Sequence, residues 1–344
     1  SQPTGLSRRS FLRLVSAGAA TTLLASAAAP LVAVTGCRAK PQATRAPDGR
    51  QVQLVYQDWR TPWFPAMAQG MLDQFQEENP DIRVFYTPDP ETVEDTLLRD
   101  MQAGTAPDVF AGCCTFFPIL AQQGHVLDLS GYVESELDQA TVQDWDVAQY
   151  EWFITDSGLH FGLPKYHGAL ALYYNKDLFD AQGVAHPDGT WDHDDYANAM
   201  QLLTLDRDGD GTNDLWGSLL DISWDRIQMH INGWGGHIVD PSDSTRSSCC
   251  EEEAMEAMRW LQERMWVDNT MARPLDIQDV ETRQAFSEGQ VAMVEDGSWA
   301  LRDILDRSDF RIGLAPLPAG PARRVTLATT DGFGIYAGTK HPEQ

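Results

Sequence analysis

The chain has 344 residues, 42% of them hydrophobic, and a formal net charge of −26. Such an acidic surface repels nucleic acid and anionic lipid, so neither is expected as a partner. Five cysteines and no CxxC spacing argue against a zinc ribbon or a redox motif of that type.

The first 36 residues form a distinct segment. Ser7-Arg8-Arg9-Ser10-Phe11-Leu12-Arg13 carries paired arginines, and an Ala-rich apolar stretch follows from Leu14 to Val34, interrupted by Pro30. Together they resemble a bacterial twin-arginine (Tat) export signal. Val34-Thr35-Gly36-Cys37 resembles a lipobox, in which small residues precede the cysteine that takes the lipid. A transmembrane anchor is the competing reading, but so many alanines and a proline make a poor span of about 20 apolar residues. The resemblance implies an exported protein, lipid-anchored at Cys37 to the outer face of the cytoplasmic membrane. Residues 37–50 show no apolar periodicity and read as a flexible tether.

About 295 residues then remain, enough for two lobes with their own cores, since domains of about 100–150 residues are typical. Val52, Leu54 and Tyr56 alternate as a strand. Pro65 to Asn79 places Met67, Met71, Leu72 and Phe75 at helical spacing before Pro80. A strand at Ile82, Val84 and Tyr86 precedes a helix with Val93, Leu97, Leu98 and Met101 on one face, and Val109-Phe110-Ala111 is a third strand. This βαβαβ order predicts an α/β fold with a mostly parallel sheet and ligands beyond the carboxyl ends of its strands.

The rhythm continues with a helix from Phe117 to Gln123, the segment Phe161 to Pro164 and a strand from Ala169 to Tyr174. Helices are predicted over Trp191–Leu205, Cys250–Val267 and Glu281–Glu288, with strands at Val291–Val294, Ile312–Ala315 and Thr329–Ala337. Thr339 to Glu343 looks like a helix entry, and C-terminal helices completing the second lobe are expected beyond Gln344.

Asp206-Arg207-Asp208-Gly209-Asp210-Gly211-Thr212-Asn213-Asp214 matches most of an EF-hand-type calcium loop. Asp206, Asp208, Asp210 and Asp214 would supply carboxylates and Thr212 its carbonyl, whereas Gly217 stands where the usual Glu would be. A solvated Asp/Gly turn is the plainer alternative. Four crowded carboxylates repel one another without a cation, which favours structural calcium. The pairs Cys113-Cys114 and Cys249-Cys250 are compatible with one bridge or with free thiols. No GxSxG, HExxH, Walker A or GxGxxG pattern occurs, so neither an enzyme nor an organic cofactor is expected.

The run from Leu163 through Lys165-Tyr166-His167-Gly168 to Tyr173-Tyr174-Asn175-Lys176-Asp177-Leu178-Phe179 resembles the family 1 extracellular solute-binding proteins, the receptors of ABC importers for sugars. Ala106-Pro107-Asp108-Val109, Thr190-Trp191-Asp192, Asn232-Gly233-Trp234-Gly235-Gly236, Gly297-Ser298-Trp299 and Pro316-Leu317-Pro318 follow in family order. The resemblance implies a type II periplasmic-binding-protein fold: a first lobe over 51–166 with part of 329–344, a second over 167–328, and a ligand cleft closed by a hinge. It implies a monomeric receptor for a carbohydrate, working with the membrane-spanning subunits of an ABC permease. A sugar needs aromatic platforms and polar groups, and the candidates are Asp58, Trp59, Thr115, Phe116, Tyr166, Trp234, Trp299 and Asp331. Core packing is the alternative for each aromatic, and a turn or cap for Asp58 and Asp331. Other readings are a polyamine ligand on the same fold, or a Tat-exported cofactor enzyme.

Overall fold

The computed structural model describes residues 51–60, 64–90, 93–113 and 116–344. The stretch resembling an export signal, Cys37, the stretch expected to be a tether, Cys114 and Thr115 lie outside them. The chain divides into two compact units, one made of the chain up to His167 with Thr329–Gln344, the other of Gly168–Ala328.

In the first unit, β1 (Val52–Asp58), α1 (Phe64–Glu78), β2 (Ile82–Pro88), α2 (Val93–Ala103), β3 (Val109–Gly112) and α3 (Phe116–Gln122) follow one another. β1 alternates at first, with Leu54 and Tyr56 inside and Val55 outside, then buries its last three residues, ending on Asp58. The buried stripe of α1 is Phe64, Ala68, Leu72 and Phe75. Met67, expected on that face, is exposed. Three short helices come next: α4 (Ser130–Glu136), α5 (Gln139–Asp144) and α6 (Val147–Trp152). The first two bury no residue, so no apolar stripe marks them in sequence. Asp138 and Asp146 cap the latter two by accepting from the N–H groups of Thr141 and Gln149. The core here is aromatic, with Phe117 lying 5.3 Å from Phe110, 5.7 Å from Phe153 and 5.3 Å from Phe161.

The chain enters the second unit along β4 (Leu163–Asn175), one 13-residue strand joining the two segments read separately from sequence. There follow α7 (Lys176–Gln182), α8 (His193–Leu203), β5 (Trp216–Leu219), α9 (Trp224–Gly233), the hairpin strands β6 (Val239–Asp240) and β7 (Asp243–Ser247), and α10 (Glu252–Trp266). Then come β8 (Met271–Ala272), α11 (Thr282–Ser287), β9 (Val291–Gly297), α12 (Leu301–Arg307) and β10 (Ile312–Ala315). Asp192 closes a capping box on α8. All seven residues of β9 are buried, which is why its sequence reads as an unbroken apolar run that ends in two carboxylates.

The chain returns to the first unit as β11 (Ala328–Ile335). Strand order is β2-β1-β3-β11-β4 in the first unit and β4-β9-β5-β8, with β10 also on β4, in the second. β1 runs parallel to β2 and β3, and β5 parallel to β8 and β9. β11 pairs antiparallel with β3, and β4 antiparallel with β9 and β10. The sheets are therefore mixed rather than mostly parallel. Parallel neighbours need crossover connections, which β1, β2 and β3 have in the helices between them; β4 and β11 instead carry the chain between units and pair antiparallel. Thr339 to Glu343 forms turns rather than a helix. Among the described residues, no helix is long and apolar enough to cross a membrane.

Candidate ligand-binding site

Two carboxylates stand at the heart of the first unit. Asp58 ends β1, a strand terminus at which an α/β sheet presents side chains to ligand. It is 1% exposed. It accepts hydrogen bonds from the Tyr56 hydroxyl and the Lys165 ammonium, and from the backbone N–H of Trp59 at 2.7 Å. Burial raises its carboxyl to about 6, against the opposing pull of Lys165. Burial likewise pushes the Lys165 ammonium down, against the pull of Asp58. Lys165 also lies 4.3 Å from the Phe64 ring centroid and 5.1 Å from that of Tyr166, so its charge meets π-faces where it does not meet carboxylate.

Asp331, in β11, is the second carboxylate, and burial raises its pKa. It accepts from the indole Nε1 of Trp59 at 2.7 Å and from the hydroxyl of Tyr166. Gly332 keeps the neighbouring backbone close to the core, since an added Cβ would lie 2.2 Å from the Phe153 ring. The Tyr166 carbonyl accepts from Gln149 Nε2 at 2.6 Å. Trp59 and Tyr166 are both half-buried. Their polar edges are thus tied to one buried acid. Asp58 and Asp331 are occupied in holding this arrangement. Phe116 begins α3 and is buried in the core cluster with Phe117 and Leu120; Thr115 lies outside the described residues.

In the second unit, Trp299 follows the carboxyl end of β9. Its indole lies over Gly297, where an added Cβ would come within 2.2 Å of the ring. Asp296 anchors this corner, accepting from the Gly297 N–H at 2.7 Å, from Arg283 Nε at 3.0 Å and from Arg226 Nη2 at 3.4 Å. Tyr173 adds a hydrogen bond to the Gly297 carbonyl at 2.8 Å. Trp299 itself is half-buried. Trp234 packs edge-on to His193, 4.5 Å between centroids, and lies 5.8 Å from Trp260.

Sequence reasoning did not single out the polar chain beneath Trp234. His193 Nδ1 bonds the Ala319 carbonyl at 2.9 Å, and its Nε2 lies 3.2 Å from His230 Nδ1. His230 Nε2 lies 3.3 Å from Glu295 Oε1, and Tyr196 also bonds Glu295. Burial and the facing His230 push His193 down to about 4. A small cavity opens beside this chain, lined by Met229, Leu317 and Val325 among others. Nothing in the spacing of these residues announces that they meet; Lys165, by contrast, sits inside the run quoted for the family resemblance.

In the loop from Asp206 to Asp214, one oxygen each from Asp206, Asp208 and Asp210 lies within 4.8 Å of the others. Asp214 points its Oδ2 at the N–H groups of Arg207 and Asp208, 2.6 and 3.3 Å away. Gly217 has entered β5 against α8, where a Cβ would meet the Met200 backbone at 2.3 Å. No Glu fits at that position.

The sequence profile of the bacterial extracellular solute-binding proteins matches residues 58–344. The chain belongs to that family. A binding protein of Brucella abortus (strain 2308) is 25% identical over 309 residues, covering 86% of this chain and 70% of its own. The maltodextrin-binding protein MdxE of Bacillus subtilis (strain 168) is 26% identical over 314 residues, covering 86% and 67%. The solved ABC substrate-binding protein of Listeria monocytogenes in complex with cycloalternan superposes with a TM-score of 0.77, at 23% identity, over 85% of this chain and 72% of that one. The binding-protein fold expected from sequence is therefore the fold of this solute-binding protein, and the family is one of receptors rather than enzymes.

Proposed function

We propose that this solute-binding protein is the receptor subunit of an ABC importer, anchored in the membrane through a lipid on Cys37, and that its solute is a sugar or oligosaccharide. The observation that carries the ligand class is the mounting of Trp59 and Tyr166 on Asp331. A sugar ring has apolar C–H faces, and an aromatic platform binds such a face best when its own freedom has already been removed. Asp58 and Asp331 already bond Lys165, Trp59 and Tyr166, which weighs against a polyamine, whose ammonium groups would need carboxylates of their own. The relatives named for maltodextrin and cycloalternan support the carbohydrate reading. In the second unit Trp299, held over Gly297, is the aromatic we assign to ligand stacking.

The export and anchoring part of the reading rests on the Arg8-Arg9 signal and the Val34–Cys37 lipobox. A receptor held by a tether keeps a high effective concentration near its permease. We also propose that Asp206, Asp208 and Asp210 hold a structural calcium ion, which would relieve the repulsion among the converging carboxylates.

A thermal-shift panel of mono-, di- and oligosaccharides alongside polyamines tests the ligand class. At least one carbohydrate should raise the melting temperature, because a ligand bound only by the native state stabilises it. A panel in which only polyamines do so overturns the assignment.

A further inference from the structure

Cys249 and Cys250 stand between β7 and α10, both exposed and neither in a disulfide. Their Sγ atoms lie 3.8 Å apart. Ser247 Oγ donates to Cys249 Sγ at 3.1 Å. The turn that carries them is ordered from both sides. Ser248 is buried and its N–H donates to the Ile238 carbonyl at 2.9 Å, while the Glu251 N–H donates to the Ser248 carbonyl at 3.0 Å. Arg246 Nη2 ties the Glu251 carboxylate at 2.8 Å. Two sulfurs are thus presented side by side on a fixed segment, far in sequence from the aromatics assigned to the solute.

We propose that Cys249 and Cys250 form a surface dithiol site that captures an uncharged trivalent arsenical. Two thiols on adjacent residues close a ring around one arsenic atom without ordering any further chain, so the chelate gains over two separate thiols through preorganisation. With an aryl arsenoxide, two As–S bonds form and the As=O bond breaks. Its oxygen leaves as water with the two thiol protons, and nothing is oxidised or reduced. Cys249 attacks first: the hydrogen bonds from Ser247 and then Cys250 hold its thiol below the usual range, whereas Cys250 is pushed up by its neighbour. Cys250 then closes the ring.

The surroundings select the ligand by charge and by donor count. Glu251, Glu252 and Glu253 follow directly and the chain is strongly acidic, so an oxyanion is repelled and a neutral species is not. Among the described residues the one group of three His, Cys, Asp or Glu side chains converging closely enough for a metal is Asp206, Asp208 and Asp210. The cysteine pair therefore lacks the further ligands that zinc takes, and soft two-sulfur chemistry is what it offers.

Phenylarsine oxide tests the site in the full chain. The protein is treated with one equivalent in excess 2-mercaptoethanol, which strips arsenic from single thiols, then alkylated with N-ethylmaleimide and digested with trypsin. Both cysteines fall in the peptide Ser247–Arg259, separate from Cys113 and Cys114. The expected result is that both escape alkylation together, and that Cys249→Ser restores alkylation of Cys250. Alkylation of both at the untreated rate, protection of one alone, or protection of Cys250 that survives Cys249→Ser overturns the proposal. Since these exposed cysteines bear on neither core, the readout does not depend on a destabilised variant.

Discussion

The indole N–H of Trp59 donates to the carboxylate of Asp331 at 2.7 Å, across 272 residues of sequence. Tyr166 shares the same acceptor, so one buried acid sets the pose of two half-buried rings. Asp331→Ala frees both rings and leaves an indole N–H and a phenol O–H without their partner. Hydrogen bonds to a charged group contribute about 1.5–3 kcal/mol each. We expect carbohydrate affinity to fall by about tenfold or more, as 1.4 kcal/mol is tenfold in Kd. Calorimetric titration with the sugar that gives the largest thermal shift measures it, and an unchanged Kd would show that the rings do not bind ligand.

Gly297→Ala separates a role for Trp299 in binding from a role in the core. The backbone at Gly297 has φ −79° and accepts alanine, so the conflict is with the indole lying over it. Both Gly297→Ala and Trp299→Ala should abolish the sugar-induced thermal shift while leaving a cooperative unfolding transition. If Trp299→Ala instead unfolds the protein, the ring is a core residue.

Stability should fall with acidity through His193. Its folded pKa of about 4 lies below the ordinary 6.5, so between those values the unfolded chain binds the extra proton and the native state does not. The contribution is complete above pH 6.5 and is lost as pH drops towards 4, by at most about 1.4 kcal/mol per pH unit. Asp58, whose carboxyl is raised by burial, pulls the other way over the same range. Comparison with His193→Asn cancels that term. Urea midpoints at pH 7 and 4.5 should decline more steeply in the native sequence than in the variant; parallel profiles would refute the assignment.

Removing calcium should lower the melting temperature. An ion at a hundredfold excess over its Kd stabilises by about 2.7 kcal/mol, a shift of several degrees. Scanning fluorimetry with and without a calcium chelator checks this, with Asp208→Asn expected to be insensitive. A melting temperature indifferent to chelator in the unmodified chain removes the ion from the account.

Cys37→Ser should release the protein from the membrane. In cells fed a radiolabelled or alkyne fatty acid, the unmodified chain should take up label and the variant should not. Equal labelling of the two would place the anchor elsewhere.

Sequence patterning carries the local elements and the fold class. Alternation at Val52, Leu54 and Tyr56 and the apolar run of β9 mark strands because burial on one face or both leaves a periodic trace. Helices α4 and α5 leave none because they bury nothing. Strand direction is likewise invisible, since an apolar strand has the same composition whether its neighbour runs with it or against it. The candidate aromatics are visible as residue types beside loops and strand ends, but whether a given ring faces solvent, core or acid is not a property of its neighbours in the chain.

The amino-acid order by itself determines the acidic charge, the resemblance of its start to an export signal and lipobox, the βαβαβ start, the Asp-rich loop and the family. The elements and the loop depend on residues within one element's length of each other, the charge on composition alone, and the family on motifs that keep their order along residues 58–344. Only the tertiary structure decides that Asp58 is bound by Lys165, that Asp331 holds Trp59 and Tyr166, and that His193, His230 and Glu295 form one chain. Each of those contacts joins residues tens to hundreds of positions apart. What brings them together is burial of several elements at once, which lowers the local dielectric and makes an unpartnered buried polar group costly.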